Sequence, residues 1–393
     1  MNFAEAGNIE DLRTLACRRL PRIVRDFLEG GAEEQQTLRA NREVFAGITF
    51  APRTLVDVSQ RSQRVTVLDR SFDSPLGISP IGAAGLFWHE ADIHLARAAH
   101  HARVPFVLST HSFVPLPRVA REAGTPPWFQ LYLGDDRQVT EMMLQQAVDA
   151  GSDVLVLTTD VPVGGNREYN ERNGFGVPFR LGLRNAVDGL RHPGWLLRVF
   201  GPLGLGGGVP AHFVDWGARR DRLNWNDFLW LRRSWPGKLL VKGILTVDDA
   251  RLAARHGADG IFISNHGGRQ LDGAPSPVDV LPPIAAAVGG QLAIMVDGGF
   301  RRGADIVKAL ALGADMVFVG RPAIYGVAAG GEDGVRRALR ILGSEVDRVM
   351  ALLGCCSMAE LGPQFVHYPR REARMIGPRS VLRAATAIGR YRA

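Results

Sequence analysis

The run SNHGGRQLDG, Ser264 to Gly273, follows directly on ADGIFI, a short apolar stretch with the make-up of a buried strand. It carries a histidine and an arginine three residues apart, His266 and Arg269, with two glycines between them. Such a segment is either a polar turn or a place where chemistry is done, and the rest of the chain must decide. Other apolar runs also end in polar residues: Ser109, Gln130, Tyr132, Thr158, Asp160, Lys242, Ser264, Asp297 and Arg301. Singly, each has a plain explanation, because strand-terminal Ser, Thr and Asp cap helices and a lone histidine is usually structural. Eleven such groups converging on one rim would be costly to bury without partners, and they mark a site. The last two runs suit a phosphate. Gly298 and Gly299 in VDGGFRRGAD, and Gly320 in VFVGRPA, leave backbone amides open, while Arg301 and Arg321 supply charge. Glycine after a strand also serves ordinary turns, so both explanations stand at this point.

The elements that must position these groups form a regular series. Strand-like runs occur at LGISPI (76–81), PFVLST (105–110), WFQLY (128–132) and DVLVLTTD (153–160). After a gap follow KLLVKG (238–243), DGIFISN (259–265), AIMVDGG (293–299) and DMVFVGR (315–321). Helix-like segments such as TVDDARLAARHGA lie between many of them. Eight alternating units predict an α/β fold, a (β/α)8 TIM barrel, with catalytic groups at the C-terminal strand ends and phosphate-binding loops after strands seven and eight. The rival is an open doubly wound sheet, but no G-x-G-x-x-G opens the first strand-to-helix turn. The expected organisation is a helical extension over residues 1–70, the barrel over 71–365 and a basic tail over 366–393. An insertion of about residues 161–237 follows the fourth strand, far beyond ordinary loop length. In it, leucines, Trp195 and Phe200 alternate with Arg180, Arg184, Arg191 and Arg198. Residues 177–215 therefore read as an interfacial membrane segment or as a lid over the barrel mouth.

The net charge of +7 raises the question of nucleic acid. Much of the surplus is arginine in the tail, with no helix-turn-helix, zinc-finger or aromatic RNA-binding signature beside it, so no nucleic-acid partner is expected. Three cysteines, Cys17, Cys355 and Cys356, form neither a disulfide framework nor a zinc pattern, and no metal is expected. The N-terminus lacks the apolar run of a signal peptide, and no stretch approaches the roughly 18 apolar residues of a membrane span. A cytoplasmic location is expected, with peripheral attachment to the inner face of the cell membrane as the extension of that reading.

SNHGGRQLD, together with LPRIVRDFLEGGAE, WFQLY, LTTD, LLVKG, VDGGFRRG, KALALGA and VGRP in that overall scheme, resembles the FMN-dependent α-hydroxy-acid oxidases and dehydrogenases. That family includes glycolate oxidase, flavin-type lactate dehydrogenase and mandelate dehydrogenase. The likeness covers about residues 8 to 360 and is strongest to the membrane-associated mandelate and lactate dehydrogenases, through LNWNDFLWLRRSWPGKLLVKG and the long insertion. The resemblance implies FMN as cofactor and His266 as the base that takes a proton from a 2-hydroxy acid, with Asp160 holding its ring. It implies Arg269 as the clamp on the substrate carboxylate, Arg167 as a second cation and Tyr132 as a hydrogen-bonding partner of the substrate. It puts Lys242 against the flavin N1–O2 edge, and Ser109, Gln130 and Thr158 at other polar edges. Ser264 and Asp297 would face the ribityl chain, Gly299, Arg301, Gly320 and Arg321 the phosphate, and the backbone of Pro80, Ile81 and Gly82 the flavin N5. The two glycines of the signature are expected to let its backbone pass close to the ligands.

Three positions depart from the family pattern. Phe27, in VRDFLEG, stands where the family usually has a tyrosine, which removes one hydrogen bond to the substrate carboxylate. Gly82 stands where the oxidases commonly carry alanine, which favours a quinone or similar electron acceptor over oxygen. His111 replaces a large aromatic of glycolate oxidase and is expected to line the substrate pocket. The expected activity is oxidation of an L-2-hydroxy acid, mandelate- or lactate-like, to the 2-oxo acid. The alternatives are an oxygen-using hydroxy-acid oxidase, a non-flavin barrel lyase or isomerase, and a retired barrel acting as a binding protein. Resemblance also implies a homo-oligomer, a tetramer.

Overall fold

Each of the eight apolar runs forms a parallel strand in the computed structural model, which describes residues 2–175, 182–202 and 220–368. The strands are β1 (Leu76–Ile78), β2 (Val107–Ser109), β3 (Trp128–Leu131), β4 (Val154–Thr158), β5 (Lys238–Ile244), β6 (Gly260–Ile263), β7 (Ala293–Asp297) and β8 (Met316–Val319). Each pairs with its sequence neighbour from β2 through β8, and β8 pairs with β1. A parallel bridge between Ile78 and Phe106, with the Ile78 amide 2.9 Å from the Pro105 carbonyl, joins β1 to β2 and closes the ring. The (β/α)8 expectation is met, and the open-sheet rival is excluded by that bridge.

The strands read as unbroken apolar runs because both of their faces are buried. In β4, Val154 and Val156 belong to the barrel interior with Leu240, Phe262 and Phe318, whereas Leu155 and Leu157 belong to the shell between strands and helices. A short hairpin, Val65–Val67 with Arg70–Phe72, adds Val67 to the interior cluster. Polar residues are thereby left to the other end of the strands.

The N-terminal extension supplies three helices, α1 (Ile9–Arg19), α2 (Arg22–Glu29) and α3 (Gln36–Glu43). It is joined to the rim of the barrel by backbone-level contacts. Asp272, just past the signature, accepts from the Gln36 amide at 3.1 Å and the Thr37 amide at 2.8 Å, capping α3. Asn41 and Asn265 exchange reciprocal amide hydrogen bonds at 2.8 Å.

The insertion between β4 and β5 contains short helices at Glu168–Arg172 and Leu183–Leu190, then Pro193–Trp195 running into Leu196–Phe200, and ends with the barrel helix Trp225–Ser234. Leu183, Leu190 and Leu197 are exposed there. Trp195 donates from Nε1 to the Leu86 carbonyl at 2.8 Å, which ties this part to the β1 loop. The remainder of 177–215, and residues 369–393 of the expected tail, lie outside the described residues, whereas Val366 and His367 pair antiparallel with Phe50 and Thr49. Among the described residues no helix is long and apolar enough to cross a membrane.

Candidate active site

A cavity of about 400 Å³ opens at the C-terminal strand ends, in the size range of cofactor and ligand pockets. On its deeper side lies a buried polar network. Lys242 on β5 donates from Nζ to Ser264 Oγ at 2.5 Å and to Asp297 Oδ2 at 2.7 Å. Ser264 in turn donates to Asp297 Oδ1 at 2.6 Å, and Ser79 donates to Oδ2 at 3.1 Å. Lys242 and Asp297 are both buried, and the hydrogen bonds around the carboxylate make a buried ion pair tolerable, with one Lys242 donor left over. Lys242 arrives there on an irregular strand: β5 slips register between Lys242 and Ile244, and Gly243 has φ 112°. A Cβ on Gly243 would lie 2.8 Å from Asp160 Cβ, so glycine is what lets Asp160 close in.

The signature turns sharply just after β6. His266, Gly267 and Gly268 all have positive φ, 58°, 65° and 73°. Left-handed backbone is strained for histidine, and the surroundings hold it. Ser264 Oγ accepts from the His266 amide at 3.1 Å, and Asn265 Oδ1 accepts from the Gly268 amide at 3.2 Å. A Cβ on Gly268 would sit 2.6 Å from the Leu38 amide nitrogen. Glycine at this position serves the packing of α3 as well as the turn.

This turn presents His266 to Asp160, with Nδ1 3.1 Å from Oδ1, and sets His266 Nε2 3.5 Å from the Tyr132 hydroxyl. Burial works against the Asp160 charge, but attraction to His266, their hydrogen bond and nearby Lys242 outweigh it, and its carboxyl lies below the usual range. The Tyr132 phenol is pushed up, by burial first and by the Asp160 charge second. His111 leans on Tyr132, with ring centroids 4.8 Å apart, and the Arg220 guanidinium stands 5.0 Å from the Tyr132 ring centroid.

Four more arginines, Arg167, Arg269, Arg301 and Arg321, line the same cavity without a side-chain carboxylate partner among the described residues. Arg269 donates from Nη1 to the Phe27 and Gly30 carbonyls at 2.7 and 3.0 Å. Arg167 donates to the Arg269 carbonyl at 3.2 Å and to Gln270 Oε1 at 3.1 Å. Arg321 donates to the Leu28 and Gly30 carbonyls at the end of α2 and to that of Gly267. Burial, then repulsion from Arg167 and Arg321, holds the Arg269 pKa well below its ordinary value. Buried and half-buried cations gathered in one cavity without counter-charge suit an anion.

A model of the FMN-dependent dehydrogenase family matches residues 16–368. The chain belongs to that family. It is 43% identical to (S)-mandelate dehydrogenase of Pseudomonas putida over 91% of this chain and 93% of that protein. It is 40% identical to L-lactate dehydrogenase of Chromohalobacter salexigens, over 90% and 93% of the two chains. The crystal structure of the monotopic membrane protein (S)-mandelate dehydrogenase superposes with a TM-score of 0.88 at 42% identity, covering 93% of this chain and all of that one (100%).

The residues present fit the family's cofactor. Gln130 accepts at Oε1 from Ser109 Oγ at 3.1 Å and from the Thr110 amide at 3.2 Å, which leaves its Nε2 donors buried and unused. Thr158 Oγ1 and Arg301 Nε are likewise buried without a partner among the described residues. Such atoms need a polar ligand, and the heterocycle edges and phosphate of FMN supply donors and acceptors. Gly298 and Gly299 have φ 107° and 89°, and with Gly320 and Arg301 they line the same cavity. A Cβ on Gly299 would lie 1.8 Å from the Asn41 carbonyl oxygen, so α3 closes over this loop only because the residue is glycine. Pro80, Ile81 and Gly82 form another part of the wall.

Two of the departures touch each other. A Cβ on Gly82 would stand 3.2 Å from His111 Cβ, so alanine there would press on His111. Phe27 lines the cavity, its ring 4.8 Å from the Arg269 guanidinium carbon and stacked on Phe175 at 4.2 Å. Phe175, Arg220 and Gln270 are site residues that sequence reasoning passed over. Gln270 lies within the signature and was legible there. Phe175 and Arg220 come from the insertion, where no spacing announces which residues reach the rim.

Proposed function

We propose that the protein, an FMN-dependent dehydrogenase by family, oxidises an L-2-hydroxy acid of mandelate or lactate type to the 2-oxo acid. The observation that carries this reading is the His266–Asp160 pair set beside Arg269 and Arg167, a base next to an anion clamp. Bound FMN supplies the two-electron acceptor, held by Ser109, Gln130, Thr158, Lys242, Ser264 and Asp297 along its ring and ribityl chain and by the Gly299, Arg301, Gly320 and Arg321 loops at its phosphate.

The chain's own residues do the rest. Arg269 keeps Nε and Nη2 clear of protein acceptors among the described residues, a planar fork for a carboxylate. Asp160 accepts at His266 Nδ1, which fixes the proton on that nitrogen and leaves the lone pair on Nε2. Nε2 then takes a proton from the hydroxy acid, and Asp160 stabilises the imidazolium that forms. Tyr132 donates to the substrate oxygen beside it. Lys242, bonded on two sides already, stabilises negative charge on the cofactor edge.

Reoxidation by a quinone or similar acceptor, and attachment to a membrane surface through 177–215, belong to the same proposal. Exposed Leu183, Leu190 and Leu197 recur at sevens beside Arg184, Arg191 and Arg198, a spacing that suits an interface. Description of a mandelate dehydrogenase as a monotopic membrane protein supports it. A homo-oligomer completes the reading. Anaerobic addition of (S)-mandelate or L-lactate is expected to bleach the flavin, and His266→Ala is expected to keep FMN and stop the bleaching. Bleaching that persists in the variant would remove His266 from its role.

A further inference from the structure

Helix α2 ends in carbonyls that no amide of the helix can take up. Two arginines from different rim loops take them instead. Arg269, after β6, donates from Nη1 to the Phe27 and Gly30 carbonyls at 2.7 and 3.0 Å. Arg321, after β8, donates from Nε to the Leu28 carbonyl at 2.9 Å and from Nη2 to that of Gly30 at 2.8 Å. Its Nη1 reaches the Gly267 carbonyl at 3.1 Å, inside the His266 turn. The Gly30 oxygen thus accepts from both guanidinium groups, and a carbonyl has lone pairs for two.

The arrangement is electrostatically tense. Both arginines are half-buried, and each is pushed below its ordinary pKa, by desolvation first. Arg321 is itself one of the charges that disfavours the Arg269 cation. The partial negative charge of the helix C-terminus, which falls off within one turn, offsets part of this, and the nearby Glu29 carboxylate adds to it at Arg321. The position of that helix end therefore decides where the Arg269 fork points. The helix is also pinned at its start, where Asp188 of the insertion accepts from the Arg22 amide at 2.6 Å. Asp26, further along α2, accepts from Asn173 at 2.8 Å.

We infer that Arg321 is a positioning residue for Arg269, acting through the Gly30 carbonyl, so that the loop at the phosphate end of the cofactor site also sets the carboxylate clamp. This rests on the proposed role of Arg269 as that clamp. Lysine at either position keeps one positive charge but cannot bridge several carbonyls from one planar group.

The test is anaerobic rapid mixing of FMN-saturated enzyme with (S)-mandelate or L-lactate, whichever reduces it, for Arg269→Lys, Arg321→Lys and the double variant. Substrate Kd and limiting reduction rate are read from the concentration dependence, and FMN affinity separately from flavin fluorescence. Arg321→Lys is expected to raise the substrate Kd about tenfold, more than it lowers the limiting rate, and the double variant to fall short of the product of the two single effects. Asp188→Ala, which touches neither arginine, is expected to raise substrate Kd while FMN affinity stays put. It decides the matter alone if Arg321→Lys cannot be loaded. Multiplicative effects, or an Arg321→Lys enzyme that loses FMN affinity but not substrate affinity, overturn the coupling. An unchanged substrate Kd in Asp188→Ala overturns it too. An Arg269→Lys enzyme that binds substrate normally overturns the clamp beneath it, which is a separate failure.

Discussion

Replacing Phe27 by tyrosine is expected to tighten substrate binding. Phe27 is buried in α2, yet its ring lines the cavity and lies under the Arg269 guanidinium at 4.8 Å. Stacking on Phe175 at 4.2 Å and 9° holds the ring plane, and a tyrosine ring can keep that stack. The added hydroxyl would then stand beside the fork that Arg269 offers to a carboxylate. A hydrogen bond to a charged group contributes about 1.5–3 kcal/mol, which is roughly a 10- to 150-fold lower Kd. Because the carboxylate keeps its charge throughout the reaction, the gain applies to ground state and transition state alike, so the limiting rate should change much less. Phe27→Leu gives the opposite arm. It removes the cation–π contact, about 0.5–2 kcal/mol, and should weaken binding roughly 2- to 30-fold. Both are read by anaerobic flavin reduction against substrate concentration. A Phe27→Tyr enzyme that keeps its FMN and its reduction rate but shows an unchanged or higher Kd would refute the placing of the carboxylate beside this ring.

Asp160→Asn should lower the limiting rate of flavin reduction by about 10²–10⁴-fold, since an amide can hold the ring but cannot balance an imidazolium; a rate near wild type would sink the His266–Asp160 reading. Gly299→Ala should yield protein that loses flavin on gel filtration, because its Cβ would overlap the Asn41 carbonyl 1.8 Å away; retained flavin would mean α3 does not seal this loop. Asp92, fully buried behind the Ser112–Phe113 turn, has its carboxyl pushed up by burial to about 7 against hydrogen bonds from that turn. The folded value exceeds the unfolded one, so the folded state binds more protons between roughly pH 4 and 7 and loses stability as pH rises through that window, by roughly 4 kcal/mol in all. Denaturant titrations of Asp92→Asn across the window should lack this slope, and parallel curves for the two proteins would contradict it.

The parallel α/β character of the fold was legible in the chain. Eight apolar runs, long enough for a strand and spaced by helical patterns, demand a parallel sheet buried on both faces, and the split of Val156 from Leu155 into two cores shows that burial, while closure into a ring rests on the bridge from Ile78 to Phe106. The sequence also determined that the polar residues collect at one end of that ring, because a run that must stay apolar to the last buried position can turn polar only beyond it. What lay outside local pattern was every pairing across the rim. His266 meets Asp160 from 106 positions away, and Asp272 caps α3 from 236. Phe175 reaches Phe27 from the insertion, and two arginines share the Gly30 carbonyl just past α2. Periodicity reports which way a side chain faces within its own element. Which distant backbone comes to meet it depends on how the ring closes and on where glycines such as Gly243, Gly268 and Gly299 let chains approach, and both are settled in three dimensions.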